Sequence, residues 1–322
     1  MKVVGTIIAV CCAVFTFGKA YAQPYPSHPV QLVVGFPPGG GVDIVARQLA
    51  EVLSQQLGQQ VMVDNKAGAA GNIAMEYVAR AKPDGYTLLM GNLGMLSANP
   101  ALYPKLSFDP AKDFVPIARV VVTPLIIGVP AALPAKTLTE FIALAKSKPG
   151  EFNFGSGGTG NINHLAGELF QMQTGTRIQH VPYKGSAPAM TDLVGGRIQM
   201  VIDGANVVQP FATAGNVRAL AITGEARAPS LPDLPTAKEA GLPDFVIYGW
   251  QGVLAPAGTS PALVAQLNAA IGKALADPAL KARLSGQGTE PAFTSAAQFR
   301  EFITAEQKRW SDVIRTARIT VD

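Results

Sequence analysis

The chain has 322 residues, enough for two domains or one large α/β domain with an ample core. Apolar residues make up 48% and charged residues only 15%, which excludes an intrinsically disordered chain. The net charge of +4 comes without a basic stretch or a patterned Lys/Arg run, and this argues against nucleic acid as a partner.

The first 22 residues place Lys2 before an uncharged apolar run, Val3 to Phe17, and end on Ala20-Tyr21-Ala22. A charged start, an apolar middle and an A-x-A site together predict a cleavable secretory signal peptide over 1–22. The apolar run is shorter than the ~20 residues a spanning helix needs. Cleavage removes Cys11, Cys12, Lys2 and Lys19, which leaves no cysteine and a net charge of +2. A chain of this length can stand on its core without disulfides. The expected product is soluble and lies outside the cytoplasm.

PVQLVVGF (29–36) reads as a strand, PPGGG as a turn, and VDIVARQLAEVLSQQLG as a helix. In that helix Val42, Val45, Leu49, Val52 and Leu57 form the apolar stripe, and Gly58 suits the C-terminal cap. QVMVDN (60–65) is a second strand, KAGAAGN a glycine loop, IAMEYVARAK a second helix and YTLLMGN (86–92) a third strand. This alternation is the rhythm of a parallel sheet with helices on its faces.

The middle repeats it: EFNFGS, the helix NINHLAGELFQMQTG, the strand RIQHVPYKG, the helix SAPAMTDLVGG, then the strands IQMVIDG and VRALAITGEA. GANVVQP, after IQMVIDG, reads as a loop. GVPAALPAKT (128–137) and RAPSLPDLPT (227–236) are Pro-rich linkers. VIYGWQGVLAP is extended, and three helices close the chain. The last carries Phe299, Phe302, Ile303, Trp310, Val313 and Ile314 on one face, as a helix docking on the core would. Two α/β lobes follow from this rhythm; where the final helices return does not.

Two strand-to-helix turns are rich in glycine. FGSGGTGNINHLAGE spells G-x-G-x-x-G with Gly155, Gly157 and Gly160, and VVGFPPGGGVDIVAR is the second. At such turns the first helix amides lack partners and the helix end is partly positive, so both turns are ready for an anion. A dinucleotide needs an acid about 20 residues on, and GTRIQHVPYKG (175–185) has none. No G-K-[ST] follows either turn. His28, His164 and His180 are scattered without metal-ligand spacing, and His164 reads as a partly buried structural histidine. GSGG around Ser156 is not G-x-S-x-G, so no nucleophile–base pair is spelled and catalysis is not expected.

GFPPGGGVDIVAR, NKAGAAGNIA, KPDGYTLLMGN, LSFDPAKDFVPIA, FGSGGTGNINHLAGE, HVPYKGSAPA, LPDLPTAKEAG and WQGVLAPAGTSP occur in this order. Across roughly residues 25–320 the chain resembles the Bug/TctC family, the extracytoplasmic solute-binding receptors of tripartite tricarboxylate transporters. The resemblance implies a type II periplasmic binding protein, a Venus flytrap of two Rossmann-like lobes with a hinge. Lobe 1 would be 23–124 and 249–322, and lobe 2 would be 125–248. It also implies a periplasmic location; a monomer is the default, and no cofactor or metal is expected. The ligand would be a small carboxylate (di- or tricarboxylate, acidic amino acid or aromatic acid) held by backbone amides from both lobes. Membrane subunits of the transporter would be the partner. A ligand-sensing receptor is the alternative role, and an exported α/β enzyme the alternative of another class.

Carried over position by position, the resemblance implies ligand contacts at Phe36, Pro38, Gly39, Gly40 and Asp43 in the first turn. Gly68 and Ala69 belong to the second loop, and Asn92 ends the third strand. The second lobe would add Gly155, Ser156, Gly157, Thr159, Tyr183, Lys184 and Asp203. Three of these keep two readings. Asp43 either touches ligand or complements the helix dipole. Lys184 either bridges to the ligand or reaches water. Asp203 either pairs with a ligand ammonium or caps the following turn.

Overall fold

The structure, a computed structural model, describes residues 25–103, 105–317, 319 and 320. The signal peptide expected over 1–22 lies outside the described residues.

β1 (Val30–Val34) pairs in parallel with β2 (Val61–Asn65) on one side and with β3 (Thr87–Asn92) on the other. Four of its five residues are buried, as befits a central strand covered on both faces. Between β1 and β2, α1 (Gly41–Leu57) buries Val45, Leu49, Val52 and Leu53. It stops at Gly58, whose φ of +67° is the left-handed cap conformation predicted for it. α2 (Asn72–Ala79) precedes β3, and a buried π-helical turn, Gly94–Ala98, leads from β3 into α3 (Asn99–Leu102).

β4 (Phe114–Pro130) is a strand that the sequence reading leaves unassigned, and its last three residues belong to the expected linker 128–137. Up to Pro124 it pairs antiparallel with β9 (Tyr248–Pro256). From Leu125 onward it pairs with β7 (Met200–Gly204) and β8 (Val217–Ile222). One strand therefore serves both halves of the molecule. Its prolines hide it, because proline lacks the ladder N–H and sits at irregular positions in strands. The register slips beside Pro116, and Pro124 stands where β4 changes partners.

The second half contains α4 (Leu138–Ser147), β5 (Asn153–Ser156), α5 (Ile162–Thr174), β6 (Gln179–Pro182), α6 (Ser186–Val194) and α7 (Ala205–Thr213). β5 is parallel to both β6 and β7. The strand order is β2-β1-β3-β9-β4-β7-β5-β6, with β8 and the short β10 (Glu290–Pro291) also on β4. The two-lobed α/β class expected from the sequence is the one observed. The segment read as the loop GANVVQP is instead the start of α7. Pro210 lies inside that helix and removes one backbone donor, so its local signal is weak.

The closing helices are α8 (Pro261–Ala276), α9 (Pro278–Gly286) and α10 (Ala296–Ala317). α8 packs on α1 and β4, while α10 packs on β4, α3 and the π-helical turn. Phe299, Ile303, Trp310 and Ile314 are buried as the stripe predicted. Trp250 Nε1 of β9 and Trp310 Nε1 of α10 both donate to Glu306 Oε2, at 2.9 and 3.2 Å, so the strand and the helix share one buried carboxylate.

Candidate ligand-binding site

Capping divides the helices. α4, α8 and α9 begin with Thr137, Ser260 and Asp277, whose side chains accept from the amides of Glu140, Leu263 and Leu280. α1, α5, α6 and α7 begin after Gly40, Asn161, Gly185 and Gly204, and none of these makes a side-chain cap bond. Their first-turn amides have no intrahelical acceptor and carry the positive end of the helix dipole.

The N-termini of these four helices meet at one cavity, which Gly40 and Gly41, Ile162 and Asn163, Gly185 and Ser186, and Gly204 and Asn206 line. Phe36, Leu93, Leu125 and Trp250 supply apolar wall, and Asn92, Thr123, Asp203 and Gln251 further polar groups. The cavity volume is about 70 Å³. Among the described residues, no lysine, arginine or histidine lines it. The halves touch around it: Asn206 Nδ2 donates to Gly41 O at 3.3 Å, and a Cβ on Gly185 (φ +111°) would come within 3.3 Å of the Pro37 ring.

An inner network stiffens the 155–160 turn. Ser156 Oγ lies 2.6 Å from His180 Nε2 and accepts from Gly158 N at 3.2 Å. Gly160 N donates to His164 Nδ1 at 3.1 Å, and the two imidazoles stack with centroids 3.9 Å apart. Burial, with His164 adding to it, pushes His180 down to about 3, so it is neutral. This is a serine–histidine contact that the sequence does not spell. Ser156 is 1% exposed and stands outside the cavity wall, so the pair braces a loop.

Of the residues singled out by resemblance, Phe36, Gly40, Asn92, Gly157 and Asp203 line the cavity together. Gly68, Ala69, Tyr183 and Lys184 line a neighbouring outer groove that shares Phe36, Pro37, Gly157 and Gly185 with it. Lys184 is exposed, and no carboxylate pairs with it among the described residues. Tyr183 donates its hydroxyl to Asp192 at 2.7 Å, and burial and that carboxylate push it up to about 12. Pro38 and Gly39 are exposed at the tip of the turn, and Thr159 is half-buried beside neither space. Gly155 is packed inside β5 against Ile198 and Ala189.

Asp43 is buried and turned away from the cavity. It accepts from Gly39 N at 3.0 Å, Asn65 Nδ2 at 2.8 Å and Arg47 Nε at 3.0 Å. Burial works to raise its carboxyl, but these donors outweigh burial and hold it below its ordinary value. The residues that reading missed are Asn161, Asn163, Ser186, Asn206, Thr123 and Gln251. Gln251, polar inside the apolar run WQGVLA, is the one with a visible signal.

Among the described residues, Asp203 is the cavity's single ionisable group. Its Oδ1 accepts from Gly204 N at 2.7 Å, and burial raises it against the lowering effect of Ser186, Gly204 and Asn163. A raised carboxyl binds its proton more tightly folded than unfolded, so stability falls as pH rises from ~4 toward the folded value. Asp203→Asn should therefore gain melting temperature relative to the parent between pH 3 and pH 7. A difference that stays flat with pH in thermal melts would remove this assignment.

Two α/β lobes, a shared crossing strand and a partly open cavity between them define a two-lobed solute-binding protein. The family model described as "Tripartite tricarboxylate transporter family receptor" matches residues 45–319. The chain belongs to this receptor family, whose members are solute-binding proteins rather than enzymes. It is 40% identical to protein BugT of Bordetella pertussis over 295 residues, 91% of this chain and 90% of BugT. An R. palustris protein solved with adipate superposes with a TM-score of 0.89 at 38% identity, covering 92% of this chain and 99% of that one. MatC from Rhodopseudomonas palustris with bound malate gives 0.84 at 35% identity, covering 90% and 100%. No helix among the described residues is long and apolar enough to cross a membrane.

Proposed function

We propose that this protein is a periplasmic receptor that closes two lobes on a small carboxylate and delivers it to the membrane subunits of a tripartite tricarboxylate transporter. The observation that carries the reading is the meeting of four uncapped helix N-termini at one cavity, with no cationic side chain among the described residues that line it. Hydrogen bonds to a charged group contribute ~1.5–3 kcal/mol each. Three to five of them, after ordering costs, reach the ~8 kcal/mol of a micromolar complex. Phe36, Gly40, Asn92, Gly157 and Asp203 are the residues we assign to the ligand from the sequence-based set. The adipate and malate bound to the two relatives support a small aliphatic acid.

Closure needs a hinge, and the chain passes between the halves within β4 and again just ahead of β9. The hinge is proposed where β4 changes partners after Pro124 and where β9 begins at Tyr248. A thermal-shift screen against a carboxylate panel tests the reading. An acid at 100 times its dissociation constant should stabilise the protein by ~2.7 kcal/mol. If no acid in the panel moves the transition, the proposal fails. Uptake of the identified acid in a deletion strain then separates transport from sensing.

A further inference from the structure

Two side-chain amides in the cavity are pinned by the protein at one end and unclaimed at the other. Asn92 in β3 and Gln251 in β9 stand directly opposite each other in an antiparallel ladder, and both are buried in the cavity wall. Asn92 Oδ1 accepts from Met95 N at 3.0 Å, which leaves Nδ2 as its outward donor. That nitrogen has no acceptor among the described residues. Gln251 Nε2 donates to Gly41 O at 3.2 Å, which leaves Oε1, a buried oxygen without a donor. Turning either amide over would set N–H against N–H or carbonyl against carbonyl, so neither is free to flip.

Opposed residues in such a ladder have Cβ atoms ~5 Å apart, so one donor and one acceptor lie close together at the cavity wall, the oxygen covered from solvent in this form. A carboxylate only accepts and an ammonium only donates, whereas a hydroxyl does both. Leaving a buried acceptor unpaired costs about as much as a lost hydrogen bond, a penalty that a ligand hydroxyl removes.

We propose that the Asn92–Gln251 pair recognises a hydroxyl on the bound acid, so that the receptor selects a hydroxy-carboxylate over the same acid without that hydroxyl. The inference rests on the carboxylate reading and adds the second group of the ligand. Helix ends take the carboxylate, and the amide pair reads the carbon that bears the hydroxyl.

Calorimetric titration with matched acids tests it: malate against succinate, lactate against propionate, and 3-hydroxybutyrate against butyrate. Aspartate serves as the ammonium arm, and unsubstituted aromatic acids complete the panel. The hydroxy member of the fitting pair should bind about tenfold or more tightly than its partner. Gln251→Leu should close that gap by weakening the hydroxy acid alone. Equal affinities across the pairs overturn the proposal. So does a Gln251→Leu loss shared equally by both acids, which would reduce Gln251 to its bond with Gly41. Aspartate binding more tightly than malate overturns it in favour of an ammonium. Binding of no acid at all instead removes the carboxylate reading on which it rests.

Discussion

Gly157→Asp is expected to lower carboxylate affinity by about a thousandfold while the protein stays folded. Gly157 lines the cavity beside the first turns of α5 and α6, so an aspartate there places a tethered anion where the ligand's own would sit. Two like charges ~4 Å apart at an effective dielectric of ~20 repel by about 4 kcal/mol. The backbone at Gly157 is outside the left-handed region, and a Cβ would approach Asn161 Nδ2 to 3.2 Å and Ser186 N to 3.4 Å. That is tight, yet the first contact is a side-chain end that can move. The new carboxylate also complements two helix dipoles, so the melting temperature should hold. Gly157→Asn, of the same size without the charge, separates the causes by calorimetry. If it is as damaging as Gly157→Asp, the loss is steric and the electrostatic account of the site is wrong.

Gly252→Ala is expected to cost about 3 kcal/mol of stability or more, lowering the melting temperature by about 5 °C or more. Gly252 lies in β9 under the fully buried Phe299 of α10. A Cβ there would overlap the Phe299 ring and lie 2.7 Å from the carbonyl oxygen of Ala118. The ring has no empty space to swing into, and the carbonyl belongs to β4, so strand and helix would have to separate. Phe299→Leu in the same protein should recover part of the loss, because it removes the ring contact and leaves the carbonyl contact. A single Gly252→Ala variant that melts with the parent would show that α10 is not seated on β9 as described.

Much of this architecture was legible because the pattern is local. The apolar stripe of α1, its stop at Gly58 and the stripe of α10 each follow from side chains at helical spacing, and packing then agrees with them. The two glycine turns were legible for the same reason, since a strand, a glycine run and a helix start within a few residues imply unpaired amides. β4 and α7 were not legible. Pro116, Pro124 and Pro210 break the local signal, and those elements persist because neighbours distant in sequence supply what the prolines remove. Within the site, glycines could be named from their turns, but the fates of Asp43 and Ser156 could not. Asp43 is drawn to Arg47 and Asn65, and Ser156 to His180, by partners that only the fold brings within reach.

By itself, then, the chain determined which backbone could hold an anion, since uncapped helix starts and glycine turns are properties of adjacent residues. Only the tertiary structure decided that four such starts share one cavity, that no cation joins them, and that Asn92 faces Gln251 across a ladder. Those facts depend on contacts between residues up to about 160 positions apart, and no local interaction energy encodes a register of that range.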